Sequence, residues 1–443
     1  YIPGSKTLYD GIKKVLPGEL VTFNNKGILK NDFYYRPVAN MDDITVNNSL
    51  DNNNLIGLLQ RKLETSVRDR LIADVPVGIF LSGGLDSSLI AAIAGKISPG
   101  IEAFTVKFDG SSYDESEEAK QVARKYALKH HIFHYNDADL VKGWNSVVKK
   151  MDEPFADASI IPTYLLCKGA KERVSVALGG DGCDELFAGY PNFKAMRFAP
   201  YLKNIKGNTS KIIKAVINKL PPSHKYMSLP FILSQISNGF GHEEMRQSYL
   251  WMSPFSSQER KQLFSCAGSL DTVFGEVDRV MKNINNYGEM DMVTKLQTNF
   301  LSFYLPDDIL TKVDRSSMYN SLEVRSPYLS SEFVRTAISL RSDLKLNRMT
   351  TKYILRKLAL RYLPYNIVYK KKHGFAPPIA RLLQGGLREQ VEYVLRDRNN
   401  TMATMFNMDY IENILKEHML GTYDHRKKIW SLFVLFSMDK KFI

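Results

Sequence analysis

Apolar residues recur at helical spacing from Asn54 to about Ala73, with Leu55, Leu58, Leu59, Leu63 and Val67 on one stripe, which predicts an amphipathic helix. Four short apolar runs follow, at 77–81, 103–108, 131–135 and 174–178, alternating with segments of helical pattern. Between the second and third runs a helix is predicted over 114–129, opened by Asp114 as N-cap with Glu117 as its capping partner. Strands separated by helices at this interval imply βαβ units and one parallel sheet with helices on both faces. Ligands bind such sheets outside the carboxyl ends of the strands.

The first fifty residues carry a different pattern. A turn at Leu16-Pro17-Gly18-Glu19 precedes short strands at 20–23 and 32–35, with Asn24-Asn25-Lys26-Gly27 as a hairpin turn. The stretch 40–54 is crowded with asparagine and aspartate and reads as a linker. The expected division is therefore a small β piece over 1–50 and a main body over 51–443. The C-terminal part reads as mostly helical, punctuated by Pro221-Pro222 and Gly385-Gly386.

Composition narrows the partners. With 443 residues, 44% hydrophobic and 24% charged, the chain can bury a sizeable core as one domain with an appendage or as two domains. A formal charge of +13 and a pI near 9.3 raise the question of a nucleic acid or an anionic membrane. Yet the basic residues are spread along the chain, with only short clusters at Lys370-Lys371-Lys372 and Arg426-Lys427-Lys428, the pattern of a solvated surface. A nucleic-acid partner is set aside on that ground. Cys167, Cys183 and Cys266 form no CxxC pair and the histidines show no metal-ligand spacing, so a reduced, cytoplasmic setting is expected. No apolar run is long enough to span a membrane, and Tyr1-Ile2-Pro3-Gly4 is unlike a secretion signal.

Chemistry concentrates at two glycine bends. The run 77–81 ends in Ser82-Gly83-Gly84, and a helix is predicted over 86–97 with Leu89, Ile90, Ile93 and Ile97 as its buried stripe. Glycine lets backbone N–H groups approach a phosphate, and a helix start adds a favourable dipole. Each exposed dipole contact is worth only about 0.3–1 kcal/mol, so a polyphosphate needs several donors and a cation together. The hydroxyls of Ser82, Ser87 and Ser88 are donors. Asp86 would repel phosphate unless a metal ion lay between them, which makes it a candidate magnesium ligand; the plainer alternative is a helix cap. The run 174–178 leads into Gly179-Gly180-Asp181-Gly182-Cys183-Asp184-Glu185, three acids that invite a second magnesium contact or a general base, or else form an acidic turn without a partner.

The first bend lacks the Walker A spacing and resembles instead the SGGxDS pyrophosphate loop of enzymes that split ATP between its α and β phosphates. LSGGLDSS at 81–88, ALGGDGCDELFAGY at 177–190, YLPDDILTKVDRSSMYNSLEVRSPYL at 304–329 and KKKHGF at 370–375, with EPFADASIIPTYLL at 153–166, together resemble the synthetase domain of the glutamine-dependent asparagine synthetase family. The resemblance implies an α/β fold of the adenine nucleotide alpha-hydrolase type, with a helical C-terminal part and a β remnant of a glutaminase domain at the N-terminus. It implies an ATP-dependent, AMP-forming ligase that adenylates the aspartate side chain with MgATP and transfers ammonia to give an amide. By motif, Ser82, Gly83, Gly84, Asp86, Ser87 and Ser88 would hold pyrophosphate, Asp86 and Asp184 would bind magnesium, and Phe80, Val106, Gly179 and Gly180 would line the adenosine site. Lys372 would offset charge as the α-phosphorus is attacked, and Asp181 takes the place of a glutamate that in many relatives helps deprotonate the incoming nitrogen. Arg325 would order Asp308, Asp314 or Glu323.

The pattern departs from the family at three places. Aspartate at position 181 is one methylene shorter than glutamate, about 1.5 Å of reach. Ala158 stands near where the best-known bacterial members carry an arginine, so a charge-assisted pair with an α-carboxylate is lost; a sugar acid or peptide acid stays open beside aspartate. A tRNA-modifying pyrophosphate-loop ATPase is the more distant alternative, without the CxxC it would need. No cysteine stands near the start, so the expectation is that either an upstream glutaminase half supplies ammonia from glutamine or the chain takes ammonia, or another amine, directly. The expected partners are a small acid and ammonia, with a homodimer allowed for.

Overall fold

The alternation of short apolar runs and helical segments becomes, in the first of two units, an all-parallel five-stranded sheet. The computed structural model describes residues 1–38, 50–108, 115–220, 228–264, 271–282, 284, 287–370 and 377–439. One unit comprises Tyr1–Gly143, Ser159–Phe193 and Val280–Pro377; the other comprises Trp144–Ala158, Lys194–Arg279 and Pro378–Ile443.

The first unit opens with a hairpin of β1 (Glu19–Asn24) and β2 (Gly27–Phe33). Because Asn24 pairs directly with Gly27, the second strand resumes at once, earlier than the 32–35 expected from its apolar residues. Most of the linker expected at 40–54 lies outside the described residues, as do Pro221-Pro222 and Cys266. From position 52 runs α1 (Asn52–Leu71), started by Asp51, whose carboxylate accepts from the Asn54 N–H at 2.8 Å. Its stripe of Leu55, Leu59, Leu63 and Val67 is buried, each side chain worth about 1.5–3 kcal/mol of apolar transfer.

The sheet consists of β3 (Val77–Phe80), β4 (Glu102–Phe108), β5 (Lys129–Tyr135), β6 (Val176–Leu178) and β7 (Glu323–Arg325), in the spatial order β5-β4-β3-β6-β7. Period-two alternation sorts its side chains. Ile79, Ala103 and Leu178 join the core formed with α1, α2 (Leu85–Ile97) and α3 (Ser116–Lys125). Phe80, Phe104, Val106, Ala177 and Val324 face the other way, against Leu166, Cys167 and Ala170 of α4 (Ile160–Lys171). The central strand β3 and its neighbour β6, covered on both faces, are apolar throughout, whereas the edge strands β5 and β7 carry charged and polar residues. The chain winds outward from β3 in one direction through β4 and β5, and in the other through β6 and β7. The switch point therefore lies between β3 and β6, and ligands of such sheets bind in the crevice outside the carboxyl ends at that point.

Two expectations shift in detail. The helix expected from Asp114 begins at Ser116 with Glu115 at its N-cap position and no side-chain cap, while Asp114 lies outside the described residues. The fifth strand, β7, is an addition to the four expected from apolar runs. Its three residues, Glu323-Val324-Arg325, become a strand only by pairing with β6. The second unit is helical, with Gly207–Asn218, Glu244–Met252, Met408–Met419 and Arg426–Ser437 among its helices. Its core includes Trp144 and Trp430, with ring centroids 4.7 Å apart. Among the described residues no helix is long and apolar enough to cross a membrane.

A lysine is entombed in the first unit. The Lys345 Nζ donates to Gln297 Oε1 at 2.7 Å and to the Ile338 carbonyl at 2.9 Å, and burial pushes the ammonium down to about 7 against the opposing pull of Asp291. The unfolded chain keeps the ordinary value near 10.5 and so binds the proton more tightly than the folded one. Stability therefore rises with pH between those two values. Urea unfolding at pH 7 and pH 9.5 should show this group adding about 3 kcal/mol in the wild type and nothing in Lys345→Met. An equal gain in the variant would remove Lys345 as the source.

Candidate active site

The turn after β3 enters α2 without a side-chain cap. Gly84 occupies the N-cap position, so Asp86, in the first helical turn, is free of the capping role that its sequence position allowed. Gly83 has φ +80°, in the left-handed region, and a Cβ there would fall 2.4 Å from the Glu115 carbonyl oxygen; only glycine fits. The serines knit the turn. The Ser82 N–H donates to Ser87 Oγ at 3.1 Å, the two hydroxyls lie 2.9 Å apart, and the Gly84 N–H donates to Ser82 Oγ at 3.2 Å. Ser88 is fully buried, and its hydroxyl has no hydrogen-bond partner among the described residues.

The second bend leaves the end of β6, where the Gly179 N–H donates to the Arg325 carbonyl at 2.8 Å across to β7. It touches the first: a Cβ on Gly180 would sit 3.2 Å from the Ser87 nitrogen and 3.4 Å from Asp86. Asp181 follows, its main-chain carbonyl accepting from Ser326 Oγ at 2.6 Å. Burial raises its carboxyl above the usual range, with Lys312 opposing. Next comes α5 (Cys183–Leu186), carrying Asp184 in its first turn. The Cys183 thiol donates to Asp86 Oδ1 at 3.0 Å and the Tyr328 hydroxyl to the Asp86 carbonyl at 3.1 Å, so the two bends are bonded as well as packed. Burial, reinforced by Asp86, pushes the thiol well up. The third acid, Glu185, turns into the core, where it accepts from the Tyr190 hydroxyl at 2.7 Å.

Between the two bends stands a residue that the motifs did not single out. The Lys352 Nζ lies 2.7 and 2.6 Å from the two carboxylate oxygens of Asp86 and 2.7 Å from Asp184 Oδ1. It precedes α6 (Tyr353–Ala359), and its side chain is 4% exposed. Burial alone would discharge it, but Asp184 and Asp86 outweigh that effect and hold the ammonium protonated, well above its ordinary range. The two carboxylates and the one ammonium together sum to −1. That donor set fits Mg2+, a hard cation that takes one or two carboxylates and completes its shell with water and phosphate oxygens. Among the described residues no group of three or more His, Cys, Asp or Glu side chains is placed to hold a metal, so phosphate and water would have to supply the remainder.

Other expected residues are placed as follows. Phe80 and Val106 project from the neighbouring strands β3 and β4 onto one face of the sheet, partly buried beside Phe104. Lys370 pairs with Glu118 at 2.7 Å and lies 3.7 Å from Glu115; Lys371 and Lys372 are outside the described residues. Of the acids considered for Arg325, the structure pairs it with Glu323 at 2.6 Å. Its guanidinium also donates to the carbonyls of Arg70 and Ile72 at 3.0 and 2.8 Å, tying the end of α1 to β7. Ala158 belongs to the second unit.

The chain is similar to known proteins over nearly its whole length. The family model described as asparagine synthase matches residues 58–440. Glutamine-hydrolysing asparagine synthetase 1 of Bacillus subtilis is 28% identical over 435 residues, covering 98% of this chain and 66% of its own length. Glutamine-hydrolysing asparagine synthetase 3 of the same organism is 23% identical over 427 residues, covering 92% and 61%. Amidase chyE of Penicillium rubens is 24% identical over 434 residues, covering 89% and 63%. The chain thus spans about two thirds of the length of the curated relatives it matches.

Proposed function

Because the chain belongs to the asparagine synthase family over residues 58–440, we propose that it is an ATP-dependent amide-forming ligase. It adenylates a carboxylate, first of all the aspartate side chain, and passes the acyl group to ammonia, releasing pyrophosphate and AMP. The convergence of Asp86 and Asp184 from turns on the adjacent strands β3 and β6 carries this reading.

Ser82, Gly83, Gly84 and Ser87 form the pyrophosphate cradle at the start of α2, where N–H groups and the helix dipole favour an anion. Phe80, Val106, Gly179 and Gly180 supply the adenosine wall. Asp86 and Asp184 are the residues to hold Mg2+, which when bound would screen the phosphate charge. Lys372 is assigned to the α-phosphate, where charge develops during attack. Asp181, with its carboxyl raised by burial, is suited to accept a proton from the incoming nitrogen, since a base works best when its pKa approaches the working pH. Ammonia is delivered free or from a glutaminase partner, of which the segment 1–50 is read as a remnant. A second acceptor, a sugar acid or peptide acid, is favoured by Ala158, which offers no cation to an α-carboxylate.

The test is turnover with MgATP, ammonium or glutamine, and a panel of acids that includes aspartate. AMP and pyrophosphate should accumulate only when acid and nitrogen donor are both present. Formation of ADP instead would exclude adenylation.

A further inference from the structure

We propose that Lys352 is a positioning residue: it holds Asp86 and Asp184 together across the two strand-end turns and sets the charge of the site so that it accepts a metal–nucleotide complex and discriminates against free metal. The proposal rests on the nucleotide-binding reading above, but not on the reaction that follows binding.

Three separate features of the structure converge on this lysine. First, its backbone is in the left-handed region, φ 55° and ψ 35°, a conformation that costs a side-chain-bearing residue about 1–2 kcal/mol. Such strain persists where the surroundings over-determine it, and here the Lys352 N–H is fixed on the Phe187 carbonyl at 3.0 Å while its own carbonyl accepts from the Arg356 N–H at 2.8 Å. The bend aims the side chain back into the crevice instead of along α6. Second, the ammonium is buried yet pairs with two acids from different turns, Asp184 and, 266 residues earlier in the chain than the lysine, Asp86, so neither is a helix neighbour. A fold that needed only to neutralise one buried lysine would require one carboxylate. Third, the backbone makes room for the pair. A Cβ on Gly189 would lie 2.3 Å from Lys352 Cε and 2.0 Å from Asp184 Oδ1.

The physical role follows from charge. With Lys352 the cluster it forms with Asp86 and Asp184 sums to −1, enough to attract a cation that brings phosphate with it. Without it, two facing carboxylates carry −2, which favours a bare divalent ion and repels the nucleotide's phosphates.

Binding of Mn2+ alone, and separately of ATP with excess Mg2+, can be measured by titration calorimetry on the full chain without any acid substrate. Lys352→Met is expected to tighten Mn2+ about tenfold and to weaken MgATP about tenfold, each a shift of about 1.4 kcal/mol. Lys352→Arg keeps the charge but replaces a point donor with a longer planar fork, so Mn2+ affinity should stay within about twofold while MgATP weakens. Loss of both affinities together in a folded Lys352→Met, or unaltered MgATP affinity in Lys352→Arg, would overturn the proposal; the arginine variant decides alone if the methionine variant does not fold. Absence of AMP formation by a wild type that shows these binding shifts would count against the ligase reading and leave Lys352 in its role.

Discussion

Replacing Asp86 with asparagine is expected to lower AMP formation by a factor of about 10²–10⁴ while leaving the fold in place. The carboxylate is the shared partner of the Lys352 ammonium and the Cys183 thiol, and it stands in the first turn of α2 just after the Ser82-Gly83-Gly84 bend. Asparagine has the same shape and retains one acceptor oxygen, so both contacts can be kept in part. What it removes is the charge: the site goes from −1 to neutral, and the attraction for a divalent cation falls with it. That range of rates corresponds to about 3–5 kcal/mol of lost transition-state stabilisation. The folded state also loses some stability, because Lys352 is left with one full counter-charge, Asp184. The assay is the initial rate of AMP release at several magnesium concentrations, with circular dichroism as the check on folding. Wild-type turnover in the folded variant would remove Asp86 from the site.

Gly189→Ala should have the next largest effect, about a hundredfold loss of turnover, which is the usual penalty for misplacing a catalytic group by roughly 1 Å. The new methyl group would overlap Asp184 Oδ1 and Lys352 Cε. It cannot be accommodated by a flexible chain end, because both atoms belong to the same buried ion pair and the Gly189 N–H is itself tied to the Asp184 carbonyl at 2.8 Å. The pair must move. The accompanying loss of stability should be about 1–3 kcal/mol, as for other overpacked positions. Thermal unfolding and AMP release measured on the same preparation separate the two effects. Full activity at wild-type stability would show that the crevice tolerates the displacement.

The parts of this site that could be read from sequence are those written as local patterns. The runs at 77–81 and 174–178 are apolar on both faces and end in glycine pairs, so strand, turn and orientation toward the carboxyl edge all follow from neighbouring residues. Asp86 and Asp184 stand just beyond those glycines, and the structure brings them to one ammonium. Lys352 has no such signature. It lies among Arg348-Met349-Thr350-Thr351-Lys352-Tyr353, without glycine or acid nearby, and only its left-handed backbone turns it toward the crevice. The direction of Glu185 was equally hidden. Adjacent residues on a helix point about 100° apart, so one acid of the Asp184-Glu185 pair must leave the site, but the choice depends on Tyr190 folding over it. Strand β7 escaped notice because charged residues at both ends of a three-residue segment carry no alternation, and its identity comes from its neighbour β6.

Separation along the chain also determines when the three charged groups come together. Asp86 and Cys183 are separated by 97 residues and Asp86 and Lys352 by 266, so the cluster exists only after distant parts of the polypeptide have closed upon one another. Closing loops of that length is a cost met before any contact is gained. A nascent or clipped chain that ends before Lys352 therefore has both acids but lacks the ammonium that lies between them.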